Sequence, residues 1–170
     1  PAALLASGAD KLLVPKQKLG NVTVAVATYS ATGRQCDGAT ESLQPSTYSL
    51  QSIYIVGIGP GDIDHLTPRA KDAIMSSDVI VGYGTYIDLI KDLLKDKEVI
   101  STGMTREIER AEKALELAMS GKTVSVISGG DPGIYGMAGL VFELLKRYES
   151  RFKGQELRIE VIPGVSALNA

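Results

Sequence analysis

The chain has 170 residues, 18 of them basic and 20 acidic, so its formal net charge is −2 with the single histidine neutral. That length allows one domain and a fragment, and 44% apolar with 22% charged residues is the make-up of a chain that buries a core. The balanced charge argues against a basic nucleic-acid face, and no apolar run is long enough to span a membrane. One cysteine, Cys36, and one histidine, His65, exclude an internal disulfide framework and a Cys/His zinc cluster, and fit a cytoplasmic setting.

In chain order, the first six residues are too short for a signal peptide and lack its basic flank. Leu12, Leu13 and Val14 form a short apolar run. After a turn, residues 21–27 alternate small or polar residues with valine, which predicts a strand. Residues 1–29 hold too little to form a core and read as the tail of a preceding domain. Residues 30–52, rich in Ser, Thr, Gly and Gln, read as a linker.

Residues 53–170 change rhythm. A β-branched run at 53–57 predicts a buried strand. Thr67 and Pro68 then open a helix, the threonine supplying the cap oxygen and the proline fitting the first turn. Leu66, Ala70, Ala73 and Ile74 form that helix's apolar face. A strand follows at 78–82, a helix at 86–94, and a weaker strand at 98–101. The helix predicted over 105–119 carries Ile108, Ala111, Leu115 and Ala118 on its apolar face, with a Glu109–Lys113 pair. Its Glu107, Glu109, Glu112, Glu116, Arg106, Arg110 and Lys113 read as a solvated face. Gly121 stops it. A strand at 123–127, a helix at 134–148, a strand at 157–162 and a helix opening near residue 166 complete the series. This alternation predicts an α/β fold, a mostly parallel sheet of about five strands flanked by helices.

Glycine makes up 18 of the 170 residues, about 11% against an average near 7%. Eleven of the 18 follow predicted strands: Gly57, Gly59, Gly61, Gly82, Gly84, Gly129, Gly130, Gly133, Gly136, Gly139 and Gly164. Loops at the carboxyl ends of parallel strands line the binding crevice of open α/β sheets. The first loop begins like a dinucleotide fingerprint, but the third glycine of that motif falls on Asp62, and no Gly-Lys-Ser/Thr follows for a P-loop. The loops after strands 53–57 and 123–127 carry Asp62 and Asp131 and no Lys or Arg, which disfavours a polyphosphate and suits a cationic ligand. The same aspartates also suit turn or helix caps, and both readings stand.

Three segments resemble the cofactor motifs of the tetrapyrrole methylases, the class III S-adenosylmethionine methyltransferases. They are Ile55-Val56-Gly57-Ile58-Gly59-Pro60-Gly61-Asp62 with Leu66-Thr67, the loop from Gly129 to Gly136, and Pro163-Gly164-Val165-Ser166-Ala167. They occur in family order, each after a predicted strand. Within the family, residues 82–86 and 102–111 are similar to the precorrin-3B C17-methyltransferase branch of cobalamin biosynthesis. Residues 12–27 resemble the end of cobalt-precorrin-5A hydrolase, so the expected parent is a fusion of two enzymes.

The resemblance implies S-adenosyl-L-methionine as cofactor, held by Gly59, Pro60, Gly61, Asp62, Gly129, Gly130, Asp131, Ile134, Tyr135, Ser166 and Ala167. It also implies a tetrapyrrole substrate methylated at C17 with ring contraction, no metal site, and a homodimer at full length. Tyr83 and Tyr86 are candidates to line the substrate cleft or, alternatively, to pack the strand-to-helix turn. Tyr83 stands where a related branch has an Asp base, and Met104 where it has a Lys. A phenol is a poor base at neutral pH and Met has no proton, so the catalytic base is left unassigned and Tyr83 is only a candidate. His65 reads as a loop residue, and Cys36 has no partner base. Other methylases of the same fold, including the diphthine and rRNA branches, remain alternatives. So do a nucleotide-binding reductase and a non-catalytic binding module. The chain is expected to be a piece of a longer protein that lacks a carboxyl-terminal domain, and to bind cofactor poorly by itself.

Overall fold

A computed structural model describes residues 17–19, 22–26, 51–152 and 157–166. The expected run at 12–14, most of the linker with Cys36, Ala167 and the helix opening beyond it lie outside the described residues. The strands are β1 (Gln17–Leu19), β2 (Val22–Val26), β3 (Gln51–Gly57), β4 (Val79–Tyr83), β5 (Glu98–Thr102), β6 (Val124–Ser128) and β7 (Leu157–Ile162). The helices are α1 (Pro68–Ser76), α2 (Gly84–Leu89), α3 (Glu107–Met119) and α4 (Met137–Arg147).

The strands join in the order β1-β2-β7-β3-β6-β4-β5. All neighbours are parallel except β1 and β2. The five strands expected from residue 53 onward form the parallel body. The strand expected at 21–27 adds β2 beside β7, with Val22 opposite Leu157 and Val26 opposite Val161. Strand β3 starts at Gln51, inside the stretch read as linker.

Side chains alternate across a strand, so a sheet covered on both faces must be apolar at odd and even positions alike. Here Ile53, Ile55, Val79, Val81, Val124, Val126, Leu157 and Ile159 pack with Ala111, Ala114 and Leu115 of α3 and with Val141, Leu144 and Leu145 of α4. The opposite face presents Val56, Ile80, Ile127 and Ile162 to Ala70, Ala73 and Ile74 of α1 and to Ile87 of α2. The alanines let α1 and α3 lie close to the sheet.

Thr67 caps α1 as expected, its hydroxyl accepting the Ala70 N–H at 3.2 Å. The polar side chains on the α1 face are partnered. Glu160 is buried in β7, and its carboxylate accepts from Arg69 Nε and Nη2 at 2.9 and 2.6 Å and from Arg158 Nη2 at 2.9 Å. Two cations thus serve one carboxylate, which the burial of a charge requires.

Several expectations change. The helix expected at 86–94 is shorter and earlier: α2 spans Gly84–Leu89, and Lys91–Leu93 is a separate tighter turn. Ile90 leaves helical geometry with φ −114° and ψ 12°. The helix expected from 134 starts at Met137, because Tyr135 takes a left-handed φ of 53° that no α-helix continues through. In α3 the apolar face is rotated: Ile108 is 56% exposed, whereas Arg110 is 3% exposed. Its charges pair three apart, Arg106 with Glu109 at 2.7 Å and Lys113 with Glu116 at 3.3 Å.

Ile159 lies at the heart of the α3/α4 face with no exposed surface. Ile159→Ala is expected to cost about 2–5 kcal/mol, read as a lower urea midpoint at unchanged slope.

Candidate functional site

The neighbours β7, β3 and β6 are parallel, so the loops that follow them emerge at one rim. They meet through backbone. Gly59 N–H donates to the Gly130 carbonyl at 3.1 Å, and Gly130 N–H returns a bond to the Gly59 carbonyl at 2.8 Å. Ile58 N–H donates to the Ser128 carbonyl at 3.0 Å. Gly59 and Gly130 hold φ of 66° and 62°, where a side chain is strained.

The approach of the third loop is closer still. A Cβ on Gly57 would lie 2.5 Å from the Gly130 carbonyl oxygen and 2.7 Å from the Gly164 nitrogen. A Cβ on Gly164 would collide with the Gly130 carbonyl and stand 2.7 Å from the Gly57 carbonyl carbon. Three main chains therefore touch where no side chain fits.

Both aspartates singled out in the sequence act on backbone. Asp131 Oδ1 accepts the Gly133 N–H at 2.8 Å, and its Oδ2 accepts the Gly164 N–H at 3.3 Å, tying the second loop to the third. Asp62 Oδ1 accepts the Asp64 N–H at 3.1 Å and caps the short turn Ile63–His65. The capping reading holds for both. No Lys or Arg lies in residues 57–66, 129–136 or 163–166.

Around these loops Pro60, Asp62, Ile134 and Tyr135 are exposed, Gly61 is half-buried with φ 103°, and Ser166 is buried. His65 is exposed on the same loop. Among the described residues no cluster of three or more His, Cys, Asp and Glu is placed to hold a metal. None of their helices is long and apolar enough to cross a membrane.

Beside this rim stand the two tyrosines. Tyr83 ends β4, and Tyr86 lies in α2 with its ring edge-on to Tyr83, centroids 5.3 Å apart. The Tyr86 ring occupies the space a side chain at Gly129 would need, its Cζ 2.7 Å from that Cβ position. The tyrosines thus pack the turn, as one reading had it, and in doing so abut the second glycine loop.

Arg110 was missed. Its Nε donates to Thr102 Oγ1 at 2.8 Å, its Nη2 to the Gly103 carbonyl at 3.1 Å, and its Nη1 to Met137 Sδ at 3.7 Å. Its Cζ lies 6.0 Å from the Tyr83 ring centre. Burial pushes this guanidinium below its ordinary pKa, partly offset by Glu107. The spacing 110, 114, 118, continuing the alanines of the buried stripe, was the available signal. Met104, by contrast, is 67% exposed.

A parallel α/β sheet whose glycine loops close on one another at one rim, with no Lys or Arg in them, is the architecture in which open α/β sheets place ligand crevices. The reductase alternative loses ground, since β4 ends in Gly82 and Tyr83 where a ribose-binding acid is needed. The chain belongs to the tetrapyrrole (corrin/porphyrin) methylases, whose family model matches residues 52–170.

It is 51% identical over 119 residues to a cobalt-factor III methyltransferase of Priestia megaterium, covering 69% of this chain and 22% of that protein. It is 49% identical over 117 residues to a probable cobalt-factor III C(17)-methyltransferase of Salmonella typhimurium, covering 68% and 46%. A crystal structure of a uroporphyrin-III C-methyltransferase from Thermus thermophilus, complexed with S-adenosylhomocysteine, superposes with a TM-score of 0.53 at 27% identity, covering 69% of this chain and 49% of that one. The chain spans less than half the length of each.

Gly57→Ala is expected to destabilise by about 1–3 kcal/mol through overpacking. Gly139, exposed in α4 with nothing within 4 Å of a Cβ, should gain about 0.5–1 kcal/mol as Ala. Parallel denaturation curves of the two variants check the opposite signs.

Proposed function

We propose that the full-length protein carrying this chain transfers a methyl group from S-adenosylmethionine to C17 of a tetrapyrrole, precorrin-3B or cobalt-factor III, with ring contraction, in cobalamin biosynthesis. The observation that carries this reading is the closure of the three glycine loops on one rim, at Gly57, Gly130 and Gly164. The names of the relatives support the substrate class and the position. The homologue complexed with S-adenosylhomocysteine supports the cofactor.

The residues present fit such a cofactor. The loops bring main-chain donors and acceptors to one place, carry no cation to repel a sulfonium, and offer the exposed apolar side chain of Ile134 beside them. Gly59, Pro60, Gly61 and Asp62 from the first loop, Gly129, Gly130, Asp131, Ile134 and Tyr135 from the second, and Ser166 and Ala167 from the third would hold it. The cofactor, when bound, supplies an already activated methyl group.

What remains for the protein is orientation. Asp131 holds its own loop by accepting the Gly133 N–H and fixes that loop to the third by accepting the Gly164 N–H. The rigid glycine contacts keep the first loop in step with both. Tyr83 and Tyr86 form the wall against which the macrocycle lies, and their edge-to-face contact sets that wall's angle. Holding two reactants in line supplies up to about 7–11 kcal/mol in well-oriented systems. An electron-rich tetrapyrrole carbon would need no prior deprotonation to take the methyl group as the methyl–sulfur bond breaks, and the base that would take a proton during ring contraction is left unassigned.

Residues 1–29 we read as the end of a preceding domain and residues 30–52 as its tether, with the full-length protein a homodimer.

Incubation of the full-length protein with labelled S-adenosylmethionine and cobalt-factor III should transfer the label to the tetrapyrrole. Transfer to no tetrapyrrole, or tighter binding of NADH than of S-adenosylhomocysteine, would overturn the reading. Tyr83→Phe keeps the ring and removes the hydroxyl the wall would offer the macrocycle; it is expected to lower turnover about threefold to tenfold, the scale of one hydrogen bond, with S-adenosylhomocysteine affinity unchanged. Equal kinetics would remove the Tyr83 hydroxyl from the mechanism.

A further inference from the structure

Arg110 sits on the second turn of α3, 3% exposed. Among the described residues no carboxylate lies within ion-pair distance of it. With no direct ion pair and only the electrostatic influence of Glu107 to offset its burial, this guanidinium is a poor stabiliser, and an apolar side chain of similar length often serves packing as well or better. Its use here calls for a reason other than core packing.

The partners supply that reason. Arg110 takes its acceptors from Thr102 and Gly103 at the end of β5 and from Met137 at the start of α4. It also faces the ring of Tyr83 at the end of β4. These three element ends are where the chain enters the rim. Tyr83 in turn touches Tyr86, and Tyr86 fills the space over Gly129. A single planar group with donors fixed in direction therefore connects the β5 turn, the α4 start and the tyrosine wall. Lysine, a point donor on a flexible stem, has no such fixed fork.

We propose that Arg110 is the positioning residue for the tetrapyrrole side of the site: it sets the Tyr83 ring, and through it Tyr86, against the second glycine loop. The proposal rests on the methyl-transfer reading for its kinetic consequence and on contact geometry for the rest. It assigns Arg110 no contact with substrate.

The test uses the full-length protein with Arg110→Met, Arg110→Lys, Tyr83→Leu and the double variant Arg110→Met/Tyr83→Leu. Arg110→Met should raise the tetrapyrrole KM by roughly tenfold while the S-adenosylhomocysteine Kd stays within about twofold. Arg110→Lys should recover only part of the loss. The double variant should be little worse than Tyr83→Leu, the signature of two residues acting through one contact.

An unchanged tetrapyrrole KM, an equal loss in cofactor affinity, or additive single effects would each overturn the proposal. Should Arg110→Met fail to fold, Thr102→Val removes the Nε acceptor and keeps the charge; it should raise the same KM by a smaller factor, and no rise overturns the idea. A wild-type protein with no methyl-transfer activity would instead fell the function reading. The NMR resonances of ring-labelled Tyr83 and Tyr86 would then decide alone. They should move in Arg110→Met while those of Tyr148 do not, and unmoved rings overturn the assignment.

Discussion

Three polypeptide backbones touch at the carboxyl rim of this sheet with no side chain between them. Gly57, Gly130 and Gly164 stand so close that one added carbon on Gly57 or Gly164 meets a carbonyl oxygen or an amide nitrogen. Much of the rest of the chain serves that meeting. The parallel order β7-β3-β6 brings the three loops side by side. The apolar layers on both faces hold the register of those strands. The reciprocal Gly59–Gly130 bonds and the two-armed Asp131 fix the loops once they have met. The amides and carbonyls there are already oriented, as the proposed recognition of an organic cation without a dedicated charged side chain would require.

The five parallel strands from residue 53 onward were easy to read; the short antiparallel β1, in a stretch read as a turn, and the helix ends were not. Residues 157–162 are a run of branched apolar side chains broken only by Arg158 and Glu160, and β7 coincides with it. A strand buried on both faces has little else it can be. Helices α2 and α4 began elsewhere because their starts are set by loop geometry: the left-handed Tyr135, and the extension of β4 through Tyr83. Neither follows from hydrophobic period. Arg110 was assigned to the solvated face because arginine is seldom buried. Yet it continues the stripe of Ala114 and Ala118 one turn earlier, and Ile108 does not. Position on the helix outranked residue type.

The loops themselves were legible as a group. Glycine after strand, repeated along one edge, marked where the loops meet. The part played by Asp62 and Asp131 was not legible, because a carboxylate that serves a ligand and one that serves an amide look alike in sequence. In the structure both accept backbone N–H bonds. Their charge adds to three loops that carry no Lys or Arg.

The order of the strands has a consequence for how such a protein comes into being. β3, first of the three central strands to leave the ribosome, is flanked by β6 and by β7, the last strand of the described chain. More than a hundred residues separate Gly57 from Gly164, so the contact between them closes one of the longest loops in the domain. During synthesis the first glycine loop must wait, half-built, until Ile162 has emerged and docked. Until then the three backbones cannot meet, so the rim closes late.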